Sequence, residues 1–182
     1  MIPRPFRRSA EARTIASLYG MIVAQARHRA FYANFGVPDT VQGRFDLIVL
    51  HLVLLLRRLD RTGDRGRLFG QRLFDAFCRD LDGNLREMGI GDLAVPKHMQ
   101  RFGEAFYGRQ ATYLAALDAP DVRVLENALA RNILENGAPG QSAELARYAR
   151  SVAQKLDAQE EGALMRGELA FPNPEAFADA RP

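Results

Sequence analysis

Ten residues from Leu47 to Leu56 are apolar except for His51, the longest apolar run in the chain. A helix that is apolar on every face has to be surrounded by other elements, and ten residues fall short of the ~18 needed to cross a bilayer. The run therefore reads as the middle of a central helix, about Val41 to Leu59, with the rest of the chain packed round it. Gly36-Val37-Pro38-Asp39-Thr40 precedes it and supplies a glycine, a φ-locked ring and two side chains able to cap. That is the chemistry of a turn followed by a helix start.

The remaining sequence repeats apolar residues at spacings of three and four and never settles into strand alternation. Ile15, Leu18, Tyr19, Ile22, Val23, Ala26 and Ala30 mark a first helix, preceded by Ser9 and ending between Tyr32 and Phe35. Asp60 to Arg67, with Gly63, Gly66 and five charges, reads as an exposed loop. Leu73, Phe74, Phe77, Cys78, Leu81, Leu85 and Met88 form a stripe that stops at Gly89. Pro96 opens a helix carrying Met99, Phe102, Phe106, Tyr113 and Leu117. Val122, Leu125, Leu129 and Ile133 point inward from the next, which stops by Gly137, and Ser142 caps a last one through Leu145, Tyr148, Val152 and Leu156. Leu169-Ala170-Phe171-Pro172 with Pro174 reads as extended chain laid on the bundle. The expected fold is all-α: a single-domain helical bundle of about six to seven helices around the central apolar one. A basic arm is expected over residues 1–8, the helical domain over 9–161 and an extended tail over 162–182.

At 182 residues the chain can bury a full core without staples. Cys78 is the one cysteine, which excludes an internal disulfide framework and multi-cysteine zinc sites. The 25 basic and 22 acidic residues leave a net charge of +3, and 23 of the basic residues are Arg. Guanidinium groups suit bidentate capture of carboxylate or phosphate, so an Arg-rich module for RNA or the ribosome is one reading. Scattered over helix faces, the same charges are ordinary solvated surface. MIPRPFRR is followed by no apolar stretch, so no secretory signal is expected, and the chain should remain in a reducing compartment.

Catalytic patterns are missing. His28, His51 and His98 fall on three different expected helices, and none has an acid or a second His at the i+3 or i+4 spacing of a metal site. Asp80 and Asp82 are two apart on a helix, which points them about 200° away from each other. The four serines lack Gly-x-Ser-x-Gly or Ser-x-x-Lys surroundings, and Cys78 lies on an apolar stripe. Gly89-Ile90-Gly91-Asp92 lacks the third glycine and preceding strand of a dinucleotide fingerprint. No catalytic residue, metal or cofactor is called for. His51 reads as a buried neutral imidazole hydrogen-bonded to a neighbouring helix. Its rival reading is a small-ligand or haem-handling enzyme using His51 in an enclosed pocket.

Aromatic residues cluster instead: Phe31, Tyr32 and Phe35, then Phe69, Phe74 and Phe77, then Phe102, Phe106 and Tyr107, with Arg27, Arg29 and Arg109 beside them. Most belong in a core, but an aromatic and Arg rim is also the composition of a protein-binding surface. The segments Phe31-Tyr32, Gly36-Val37-Pro38-Asp39-Thr40, Gly43-Arg44-Phe45-Asp46, Leu50-His51, Phe74-Asp75, Arg79-Asp80, Asn84-Leu85-Arg86-Glu87-Met88-Gly89, Gly91-Asp92 and Phe106-Tyr107-Gly108-Arg109 resemble the ubiquinol-cytochrome c chaperone family, over about Tyr19 to Ile133.

The resemblance implies an all-helical assembly factor without enzymatic activity. Mitochondrial members hold newly made cytochrome b until it acquires haem and joins the bc1 complex, acting with a small partner near the ribosomal exit tunnel. This chain begins close to its first helix, so it looks like a bacterial member, cytoplasmic and peripheral to the inner membrane. Cytochrome b is the implied client, with the ribosome and a small co-chaperone as further partners, and no DNA. A rigid frame presenting an apolar groove suits that task. Motif membership and aromatic clustering place the groove near Phe31, Tyr32, Phe35, Val37, Phe106, Tyr107 and Arg109, with Asp39, Arg44, Asp80 and Arg86 as framework or rim.

Overall fold

A computed structural model describes the backbone of residues 4–135 and 139–178, with side chains over 10–135 and 140–178. The chain runs through α1 (Arg4–Ala26), α2 (Arg29–Ala33), α3 (Val41–Asp60), α4 (Gly63–Glu87), α5 (Val95–Asp118), α6 (Arg123–Asn132), α7 (Pro139–Ala158) and α8 (Glu161–Met165), then a 3-10 turn at Pro174–Phe177. The described residues contain no strand. α3 is the central helix and packs against α1, α4, α5 and α7. Every residue from Val49 through Leu55 is buried, His51 included. Thr40 caps α3, its hydroxyl oxygen accepting from the Gly43 N–H at 3.1 Å, and Pro96 lies in the first turn of α5.

Four boundaries differ from the sequence reading. The first helix does not run unbroken to Tyr32–Phe35. It ends at Ala26, because His28 takes an extended conformation (φ −62°, ψ 128°) and its ring Nδ1 accepts from the Ala30 N–H, capping α2. The same helix already includes Arg4 to Ser9, so Ser9 is not its cap and, over residues 4–8, the expected basic arm is part of α1. Asp60 to Arg67 is not a loop, since α4 starts at Gly63. Gly66 lets α4 begin directly against the end of α3: a Cβ there would collide with Thr62 Oγ1 and the Leu59 carbonyl. Ser142 lies inside α7, which starts at Pro139.

Two residues assigned to inward stripes face out. Val122 is 54% exposed because it precedes α6, whose Arg123 N–H is taken by the Asp121 side chain. Met88 is 62% exposed, just past the end of α4. Gly137 lies outside the described residues. The tail expected to be extended over 162–182 is not extended throughout: α8 covers Glu161–Met165 and a 3-10 turn Pro174–Phe177. Residues 168–173 between them form no helix, and Leu169 and Phe171 pack on the core, with Phe177 following from the turn.

Candidate functional site

The N-terminal part of α3 is less covered than its middle. Phe45 and Ile48 are only partly buried, and Val41 is 80% exposed. Above them lies a groove of about 410 Å³, walled by Tyr19 and Val23 of α1, Phe77, Leu81 and Met88 on the α4 side, and Phe102 of α5. Its floor is aromatic: the Phe45 and Phe77 rings stack at 5.9 Å, and Phe45 meets Phe102 at 5.1 Å. Side chains that leave apolar area open in this way, rimmed by polar groups, are the usual form of a protein-binding surface.

The rim is polar and internally braced. Tyr19 donates its hydroxyl to Asp80 Oδ2 at 2.8 Å, and Asn84 Nδ2 donates to the same oxygen at 3.1 Å. Burial, then the Asp80 carboxylate, push the Tyr19 hydroxyl pKa up, so it stays protonated and keeps donating. Arg44 donates from Nε and Nη2 to Asp39 Oδ1 at 2.9 and 2.7 Å. Below the floor Asp46 is 4% exposed and accepts from Gln42 Nε2 and Arg109 Nη2, both at 2.8 Å. Burial nevertheless raises its pKa to about 6, outweighing Arg109 and Gln42, which both pull it down.

The residues singled out from sequence do not form one patch. Phe31, Phe35 and Val37 are buried in the core, and Phe106 is buried too, reaching only the edge of a second hollow beside Tyr107. Aromatic residues at helical spacing give no sign of which side of the stripe will be covered. Tyr32 is half-buried, its hydroxyl donating to the Ala26 carbonyl at 2.7 Å. Arg44 and Asp80 line the groove, with Asp39 tied to Arg44. Arg86 is paired with Asp82 at 2.8 Å and with Asp92. Tyr107 is 58% exposed at that second hollow, of about 410 Å³, with Phe74, Leu114, Arg57 and Arg61. There the cations are compensated, since Arg57 and Arg61 both reach Asp157, at 3.0 and 3.1 Å. The sequence reading missed as groove residues the floor aromatics Phe45, Phe77 and Phe102 as well as Val23, Val41 and Ile48. Their signal was weak: they stand on or next to stripes that otherwise enter the core.

His51 is hydrogen-bonded to a neighbouring helix, as read from the sequence. Its Nδ1 is 2.7 Å from the Leu47 carbonyl, which can only accept, so Nδ1 carries the proton. Nε2 then accepts from the Tyr148 hydroxyl of α7 at 2.7 Å, and that oxygen accepts from Gln25 Nε2 of α1 at 2.9 Å. Burial lowers the His51 pKa to about 4. Both ring nitrogens are occupied at 0% exposure, which leaves none to ligate or to exchange a proton with a substrate. Among the described residues no three His, Cys, Asp or Glu side chains converge as metal ligands.

Three comparisons place the chain among known proteins. The family model described as Ubiquinol-cytochrome C chaperone matches residues 33–171. The chain is 26% identical over 157 residues to ubiquinol-cytochrome-c reductase complex assembly factor 1 of Xenopus laevis, covering 85% of this chain and 78% of that one. The Mus musculus protein of that name is also 26% identical over 157 residues, and there the match covers 53% of the relative. The crystal structure of the Cbp3 homolog from Brucella abortus superposes with a TM-score of 0.86 at 37% identity, covering 98% of this chain and 100% of that one.

Proposed function

Because the chain belongs to the ubiquinol-cytochrome c chaperone family, an assembly-factor family for ubiquinol-cytochrome c reductase, we propose that it holds an apolar segment of newly made cytochrome b in the α1/α3/α4 groove. The hold is noncovalent and needs no catalytic residue. The observation that carries this reading is the aromatic floor left open beside exposed Val41 and Met88. Apolar side chains of a client segment bury against Phe45, Phe77 and Leu81, and each fully buried Leu- or Phe-sized side chain contributes ~1.5–3 kcal/mol before ordering costs. No helix among the described residues is long and apolar enough to cross a membrane. We place the protein in a bacterial cytoplasm, peripheral to the inner membrane, where it meets a client whose helices are leaving the ribosome.

The test is a photo-crosslinking amino acid at Met88, with V41D as the paired variant. Both positions are exposed, so folding should be intact by circular dichroism. Crosslinks to newly made cytochrome b that disappear with V41D, together with a fall in bc1 content, are the expected result. Unchanged bc1 content in folded V41D, with no cytochrome b crosslink from position 88, refutes the assignment.

A further inference from the structure

Resting on that reading of the groove, we propose that its occupant is a polypeptide whose apolar stretch is followed by an acidic side chain, and that the α5 end of the groove receives the carboxylate. Past Phe45 and Phe102 the groove continues into a shallow hollow of about 230 Å³, whose polar lining is Gln42, His98, Arg101 and Arg109. Phe45 and Phe102 border both hollows, so one extended segment can lie across them.

The two ends differ in charge. At the α1 end, Arg27 shares the groove with Asp80 and Glu87, and Arg44 is held by Asp39. At the α5 end no carboxylate lines the hollow. Asp46 is buried beneath it and already accepts from Gln42 and Arg109. Glu104, on the same helix as Arg101, accepts from Gln100, and Glu135 acts on Asp46, but neither lines the hollow. Arg101 is exposed and makes no ion pair among the described residues. Arg109 uses Nη2 on Asp46 and is 18% exposed, leaving other guanidinium donors. An apolar floor supplies affinity without direction, whereas an unbalanced charge at one end sets the direction in which a segment lies. A carboxylate there gains charge-assisted hydrogen bonds, and an ammonium group is repelled.

The experiment measures fluorescence anisotropy of a labelled apolar helical peptide ending in Asp-Glu, and of its Asn-Gln and Lys-Lys versions, with the full chain. The Asp-Glu peptide should bind about three- to tenfold more tightly than the Asn-Gln one, with the advantage shrinking as salt rises. R101Q should remove the preference, R101E should turn it toward Lys-Lys, and V41D should weaken all three peptides. Equal binding of the three peptides that V41D abolishes overturns the acidic preference and leaves the groove reading standing. Peptide binding untouched by V41D sinks the groove reading and this proposal with it. Arg101-dependent flotation with phosphatidylglycerol but not phosphatidylcholine vesicles, without a peptide preference, would assign the cations to a lipid surface and overturn the proposal.

Discussion

Tyr148→Phe removes one oxygen from the middle of a relay in which His51 and Tyr148 are fully buried and Gln25 is half-buried. The lost hydroxyl donates to His51 Nε2 at 2.7 Å and accepts from Gln25 Nε2 at 2.9 Å. Gln25 keeps a second acceptor, the Pro172 carbonyl at 3.2 Å, but His51 Nε2 is left at 0% exposure with no donor. An orphaned buried acceptor costs ~1–3 kcal/mol. We expect about 2 kcal/mol, or about 4–8 °C in Tm for a domain of this size. His51→Leu should cost a similar amount, because the Tyr148 hydroxyl then loses its acceptor. The double variant has neither orphan, so its cost should fall short of the sum by about 1–2 kcal/mol. Urea unfolding followed by far-ultraviolet circular dichroism measures this in a chain without Trp. Strictly additive costs would refute the relay.

Its pH dependence has a definite sign. The unfolded chain protonates His51 near 6.5, whereas the folded one resists to about 4. Between those values the unfolded state binds more protons, so this contribution is complete above pH 6.5 and is lost as pH falls toward 4. A shift of that size corresponds to at most about 3–4 kcal/mol. Asp46 acts oppositely: its folded pKa is raised from 3.8 to about 6, so its contribution is present below pH 3.8 and lost as pH rises through 6. The two slopes oppose each other in wild type. The stability difference between wild type and the His51/Tyr148 double variant isolates the His51 part, and it should shrink between pH 7 and pH 4. A constant difference would contradict the burial of a neutral imidazole.

Gly43→Ala should destabilise by about 1–3 kcal/mol in thermal unfolding, because the new Cβ would collide with the Pro38 carbonyl and press on Val37 Cγ1 at 3.3 Å. Gly83→Ala, with open space around it inside α4, should stabilise by about 0.5–1 kcal/mol. Arg109→Met leaves the buried Asp46 carboxylate with Gln42 alone, and urea unfolding should show a loss of about 3 kcal/mol, partly regained when Asp46→Asn is added.

What can be read from the sequence follows from what is local. Thr40, Pro96 and Gly89 act through their own or adjacent backbone groups, so their roles at helix ends are visible. The break at Arg27–His28 is not, because Ile22, Ala26 and Ala30 keep a helical spacing across it. The cap is a histidine ring nitrogen rather than a common capping oxygen. Gly63 and Gly66 read as loop residues, but Gly66 serves a close approach of two helices, which depends on where Leu59 lies in space. The same holds for the aromatic clusters: Phe106 and Tyr107 are adjacent in the chain, yet one is 2% and the other 58% exposed.

The apolar run that defines the scaffold also explains why the groove lies beside it rather than on it. From Val49 to Leu55 α3 is buried on all sides, and the His51–Tyr148–Gln25 relay fastens α7 and α1 over that stretch. Covering helices held there cannot also close over the start of α3, where Arg44, Gln42 and Val41 are exposed and Phe45 and Ile48 are half-covered. A single helix thus supplies a locked core along its middle and an open aromatic floor at its beginning. Loosening the relay should therefore lower stability without changing peptide affinity per folded molecule, and V41D should do the reverse. If Tyr148→Phe weakened peptide binding by the folded fraction as much as V41D does, the two ends of α3 would be one coupled unit and this division of labour would be wrong.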